Sequence, residues 1–117
     1  MSNPAAAPQA RYQTYAEFWP FYLNEHAKTL TRALHYVGTS LVFGCIGVAI
    51  ATAQPRALIA APFCGYGFAW VAHFFVEKNR PATFKYPLWS LASDFRMYFL
   101  ALAGKLGAHL RAASASR

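Results

Sequence analysis

The sequence predicts an all-α protein: an integral membrane helical bundle built on a two-span hairpin with flanking interfacial helices. Hydrophobic residues fill 56% of the 117 positions and charged residues only 13%, which is too apolar for an ordinary soluble domain. The apolar residues are also concentrated. They form two runs, Tyr36 to Ala53 and Ala57 to Phe75, parted only by Gln54, Pro55 and Arg56. Each run is about 18 residues, enough to cross a hydrocarbon core of roughly 30 Å, and so short a break makes the pair antiparallel.

The remaining elements follow in order. Residues 1–13, rich in Ala and Pro at their start, read as a disordered tail, and they lack the long apolar region of a signal peptide, so the chain is not expected to be secreted. Thr14 to His26 mixes Phe18, Trp19, Phe21, Tyr22 and Leu23 with polar residues, which suits a short helix in the headgroup layer whose regularity Pro20 limits. Thr29 and Thr31 are hydroxyl cap candidates for a second helix that carries His35 into the first apolar run. Small residues recur at four-residue spacing, Ser40 and Gly44 on one span and Ala61, Gly65 and Ala69 on the other, and are expected to let the backbones approach. Pro81 should make Arg80 the last helical residue of the second span. Beyond Pro87 the helical pattern is interrupted by Asp94, Arg96 and Lys105, so residues 89–107 read as an interfacial amphipathic helix, with a third span as the alternative. A polar, disordered tail is expected over residues 111–117, leaving one membrane domain over residues 14–110.

The formal charge is +7. The bases flank apolar segments, a placement that suits phosphate headgroups, so membrane lipids are expected as partners and nucleic acid is not. Lys28, Arg32, Lys78, Arg80 and Lys85 lie at one end of the hairpin and Arg56 alone at the other. By the positive-inside bias this predicts both termini on the cytoplasmic side. Cys45 and Cys64 fall inside the apolar runs and read as small buried residues. No nucleophile elbow, phosphate-binding glycine loop or CxxC pair is present.

The hairpin gathers the chemistry. His35 enters the first span and His73 leaves the second, so both lie at one membrane face, and Glu25 and His26 precede that face. His73 and Glu77 are four residues apart and on a regular helix can hold one cation between them. Histidines and carboxylates in a partly dry pocket suit iron, manganese or zinc, and such a set with open positions is how non-haem Fe(II) oxygenases bind O2. One condition attaches to His26 and His35. Nine residues of continuous helix would put them roughly 180° apart, so the chain must break between them. His109 is expected to do ordinary structural work. Two other readings stand beside the oxygenase: an electron carrier with haem between His35 and His73, and a metal-free membrane adaptor.

Two blocks then carry a resemblance. The first, EH followed by RxLHxxGT, comprises Glu25, His26, Arg32, Leu34, His35, Gly38 and Thr39; the second, HFFxExNxPATF, comprises His73 to Phe84. Together they resemble the Mpo1-like family over roughly Tyr15 to Gly104. Thr29 departs from the proline that many relatives carry there. The resemblance implies an Fe(II)-dependent dioxygenase that shortens 2-hydroxy fatty acids by one carbon with loss of CO2, with O2 as co-substrate. It also implies that His26, His35 and His73 are the iron ligands. Glu77 is then expected as a fourth ligand or as the partner that orients His73. Arg32 and Arg80 are the candidates for gripping the substrate carboxylate, Arg32 being favoured. The acyl chain is expected along Phe43, Ile46, Phe68 and Val71.

Overall fold

Residues 11–115 are described by the computed structural model; the first ten positions of the expected N-terminal tail lie outside the described residues. All elements are helical, with no strand among the described residues. Helix α1 (Tyr15–Asn24) starts at a reciprocal cap. Thr14 Oγ1 accepts from the Glu17 amide at 3.2 Å while Glu17 Oε1 accepts from the Thr14 amide at 3.3 Å, which satisfies amides that the first helical turn leaves open. Phe18, Trp19, Tyr22 and Leu23 form one helical stripe, and that stripe is buried against Tyr86, Met97, Leu106 and Ala113. This corrects the expectation of a helix floating in the headgroup layer: protein rather than lipid covers its apolar side.

Helix α2 (Thr29–Thr52) is the first long element. It ends at Ala53 in the left-handed conformation (φ 55°), and a 3-10 turn (Pro55–Ile59) leads into α3 (Ala60–Val71). Two glycines set how close α2 and α3 come. A Cβ on Gly38 would lie 3.1 Å from both the Cys64 carbonyl oxygen and Phe68 Cβ, and one on Gly65 would lie 3.3 Å from Val42. Of the expected small-residue contacts, Gly65 is at the interface, whereas Gly44 faces nothing within 4 Å and Ser40 turns its hydroxyl to Tyr98, 2.9 Å away. On α2 the closest approach therefore falls at Gly38, nearer His35 than the expected Ser40 and Gly44. Cys45 and Cys64 are free and half-buried.

The segments Thr29–Thr52 and Pro55–Glu77 are long and apolar enough to cross a membrane, and only 17% of either apolar window is buried. Ile50, Ile59 and Phe63 near the closed end are mostly exposed.

Helix α3 does not run on regularly to Arg80. It widens into a π turn (Ala72–Glu77) and stops at Lys78, whose φ of 62° is left-handed. The amides of Lys78 and Asn79 both bond to the His73 carbonyl, a helix-ending arrangement that satisfies an orphan acceptor. A 3-10 turn (Ala82–Phe84) then precedes α4 (Pro87–Leu102), whose first residue is proline, where a missing amide costs nothing. At 16 residues α4 is about 24 Å long, short of a full crossing. Gly104 (φ 73°) turns the chain into α5 (Leu106–Ala115). The structure differs from both expected tails where it describes them. Asn24 Nδ2 donates to the Ala113 carbonyl at 3.0 Å, so the helix persists to Ala115. At the other end, Arg11 donates to the Lys85 carbonyl and the Tyr12 amide to the Tyr86 hydroxyl.

Candidate metal centre

Between α1 and α2 the chain breaks over residues 25–28. This is the interruption that His26 and His35 need to face each other, and it forms without a proline. Arg32 staples it, donating from Nη1 to the carbonyls of His26 (2.7 Å) and Ala27 (2.9 Å) and from Nη2 to Thr29 Oγ1. Neither threonine caps α2 as expected. Its N-cap is Lys28 with no cap of its own, and Glu77 serves instead from 49 residues away. Glu77 Oε1 accepts from the Lys28 amide at 2.9 Å and from the buried Thr31 hydroxyl at 2.7 Å. A carboxylate at a helix N-terminus also meets the positive end of the helix dipole.

With the break made, His26, His35 and His73 converge. Their Nε2 atoms form a triangle with edges of 3.1 Å (His26 to His35), 3.2 Å (His35 to His73) and 3.0 Å (His73 to His26), and all three side chains are buried. Each opposite ring nitrogen faces an acceptor. His26 Nδ1 donates to the Tyr22 carbonyl at 2.6 Å, one of the acceptors that the last turn of α1 leaves open. His73 Nδ1 donates to Asn79 Oδ1 at 2.6 Å, and Asn79 Nδ2 donates to the Glu25 carbonyl, which fixes the amide's orientation. His35 Nδ1 lies 3.8 Å from Asp94 Oδ1, which in turn accepts from the Tyr22 hydroxyl. A neutral imidazole with its proton on Nδ1 presents a lone pair at Nε2. His26 and His73 therefore turn Nε2 lone pairs into the triangle, and the Nε2 of His35 completes it.

Burial, reinforced by His35 and His73, holds the His26 imidazole well below its ordinary pKa and so keeps it neutral. Burial also pushes the Asp94 carboxyl up to about 7, although the Tyr22 hydroxyl draws it down. The donor set fits a first-row divalent ion. Three nitrogens at about 2.1 Å from one ion and at right angles stand roughly 3.0 Å apart, close to the observed edges. Haem between His35 and His73 does not fit, because nitrogens on opposite faces of one iron need about 4 Å between them.

The other expected site residues lie elsewhere. Glu77 caps α2 rather than touching His73, because the π turn and the left-handed Lys78 bring Asn79 to that ring instead. Arg32 is committed to the loop carbonyls. Arg80 stacks over the Phe84 ring, 5.0 Å from its centroid. Asp94, Asn79 and Tyr22 were the residues not singled out for these roles; the available signals were an acid inside an apolar helix and a tyrosine four residues before His26.

An apolar cavity of ≈ 230 Å³ opens beside His35 and Asp94, lined by Thr39, Val42, Ala61, Pro62, Gly65, Tyr66, Leu91 and Phe95. None of Phe43, Ile46, Phe68 and Val71, the residues expected along an acyl chain, lines this cavity: Phe43 packs on Phe95, Tyr98 and Phe99 of α4, and Val71 is exposed.

Comparison with curated proteins and with solved structures gives no match. A family model described as 2-hydroxy-palmitic acid dioxygenase Mpo1-like matches residues 12–106. That match spans both histidine-bearing blocks and nearly all of the described fold, and the chain belongs to the Mpo1-like family.

Proposed function

We propose that this protein is a membrane-embedded, Fe(II)-dependent dioxygenase that converts a 2-hydroxy fatty acid and O2 into the acid one carbon shorter, CO2 and water. The atoms balance without another reductant: RCH(OH)COOH plus O2 gives RCOOH, CO2 and H2O. The observation that carries the reading is the triangle of buried Nε2 atoms, with the His26 and His73 rings oriented by hydrogen bonds through Nδ1 and His35 Nδ1 facing Asp94 at 3.8 Å. Ferrous iron held by these three imidazoles would keep further positions open and would supply the electron transfers through which O2 reacts with an organic acid. His26, His35 and His73 hold the ion, while the Tyr22 carbonyl, Asn79 and Asp94 fix the rings. A 2-hydroxy carboxylate offers two oxygens in chelating position, which suits the positions left open. The cavity beside His35 takes the start of the acyl chain, and its apolar walls exclude water from the reacting end. The exposed apolar surface of the hairpin supports a site at headgroup depth that takes its substrate from the bilayer.

Elemental analysis of protein purified without chelators tests this. Iron near one atom per chain is expected, with O2 uptake and CO2 release on adding a 2-hydroxy acid. Alanine at His26, His35 or His73 should remove iron and turnover together. Full iron in all three variants sinks the assignment, and a wild-type protein carrying no transition metal favours the adaptor.

A further inference from the structure

Ser90, in the first turn of α4, is 2% exposed, and its Oγ is the buried side-chain oxygen or nitrogen without a hydrogen-bond partner among the described residues. A buried hydroxyl left unmet is costly, so such a group signals a ligand. The space in front of it is small, with polar groups set among apolar walls of Ala69, Trp70, Pro81 and Ala82. A cavity of ≈ 10 Å³ is bounded by Tyr22, His26, His73, Thr83, Ser90 and Asp94, among others. That volume is about that of a single water, and a buried water needs two to four polar partners, which this wall offers. The chamber is distinct from the acyl groove. Asp94 and Tyr66 border both, but His35 faces the groove, whereas His26 and His73 face the chamber.

We infer that this chamber seats one water molecule held by Ser90 Oγ, and that it is where the water formed in each turnover leaves the reacting centre, on the side away from the acyl chain. Its role in turnover rests on the dioxygenase reading; its occupancy does not. Ser90 is thus a positioning residue. It does not line the acyl groove, and it makes no hydrogen bond to the three histidines.

The test is Ser90→Ala in the purified full chain, read three ways. If the hydroxyl holds a water, its loss lowers the thermal midpoint by about 4–8 °C, the shift expected for one net hydrogen bond in a chain of this size. A hydroxyl with no ligand gives the opposite sign, and a raised midpoint overturns the inference. High-resolution density should show a water within hydrogen-bonding distance of Ser90 Oγ in the wild type, and a dry chamber likewise overturns it. Turnover should fall in kcat while KM for the 2-hydroxy acid and iron content stay unchanged; a change in KM alone would overturn the assignment to the product side. Should the alanine variant not fold, Ser90→Cys, similar in size but a weak hydrogen-bonder, should give the same signs. A wet chamber in a protein that binds no iron would retain the water seat and overturn its role in turnover.

Discussion

Asn79 shows how much depends on one side chain. It grips His73 Nδ1 with its carbonyl oxygen and the Glu25 backbone with its amide, so a single residue ties the second span to the loop before the first. Asn79→Ala should weaken iron binding by about 10 to 100-fold, as losses of groups that orient metal-bound histidines do, while leaving the helical content intact; competition with a calibrated chelator measures it. Asn79→Asp keeps an acceptor for the ring but turns a donor to the Glu25 carbonyl into a second acceptor, so partial recovery is expected. The histidines themselves were legible in the sequence, because the hairpin brings His35 and His73 to one face and the family resemblance adds His26, whose approach needs the break over residues 25–28. Their partners were not. Asn79 reaches His73 only through the left-handed turn at Lys78, and Asp94 reaches His35 only through the packing of α4 on α2, and neither leaves a periodic trace. Glu77 misled for the complementary reason. Four-residue spacing implies a shared face on an α-helix, and here the helix is not α.

At the scale of elements, the hairpin and the close of its first span near Ala53 could be read from hydropathy, while the end of the second span and the contacts within the pair could not. Small residues are common on both spans, and spacing alone does not say which of them meet. Gly38 and Gly44 separate the two cases. Alanine at Gly38 brings a methyl to 3.1 Å of a backbone oxygen that has nowhere to go and should destabilise by about 1–3 kcal/mol as overpacking does. Alanine at Gly44, with nothing within 4 Å, should instead stabilise by about 0.5–1 kcal/mol through helix propensity. Unfolding midpoints in detergent should shift in opposite directions, and equal shifts would show that the hairpin does not close at Gly38. The aromatic core was half legible. The stripe of Phe18, Trp19, Tyr22 and Leu23 is visible in the sequence, but composition does not say whether lipid or protein covers it. The turn at Gly104 decides that by folding α5 back onto α1.

For the molecule as a whole, α1 packs on α5 and Asn24 bonds to Ala113, so both ends of the described chain share one end of the hairpin with most of the bases. This supports the topology with both termini inside. In a Cys45→Ala, Cys64→Ala background, a cysteine at position 56 should react with an impermeant reagent applied outside and one at position 85 should not; the reverse pattern would invert the protein in its membrane. The placement of the three histidines has a further consequence in time. Synthesis runs from the N-terminus, at about 5–20 residues per second. His26 and His35 therefore emerge some seconds before the span that brings His73, and before Glu77 arrives to close the start of α2. A nascent chain halted between the spans has two imidazoles and an open helix end, and should retain no iron through a gel-filtration step. On the proposed reading, metal capture waits for the second span, so an iron-loaded molecule would be one whose second span has already inserted.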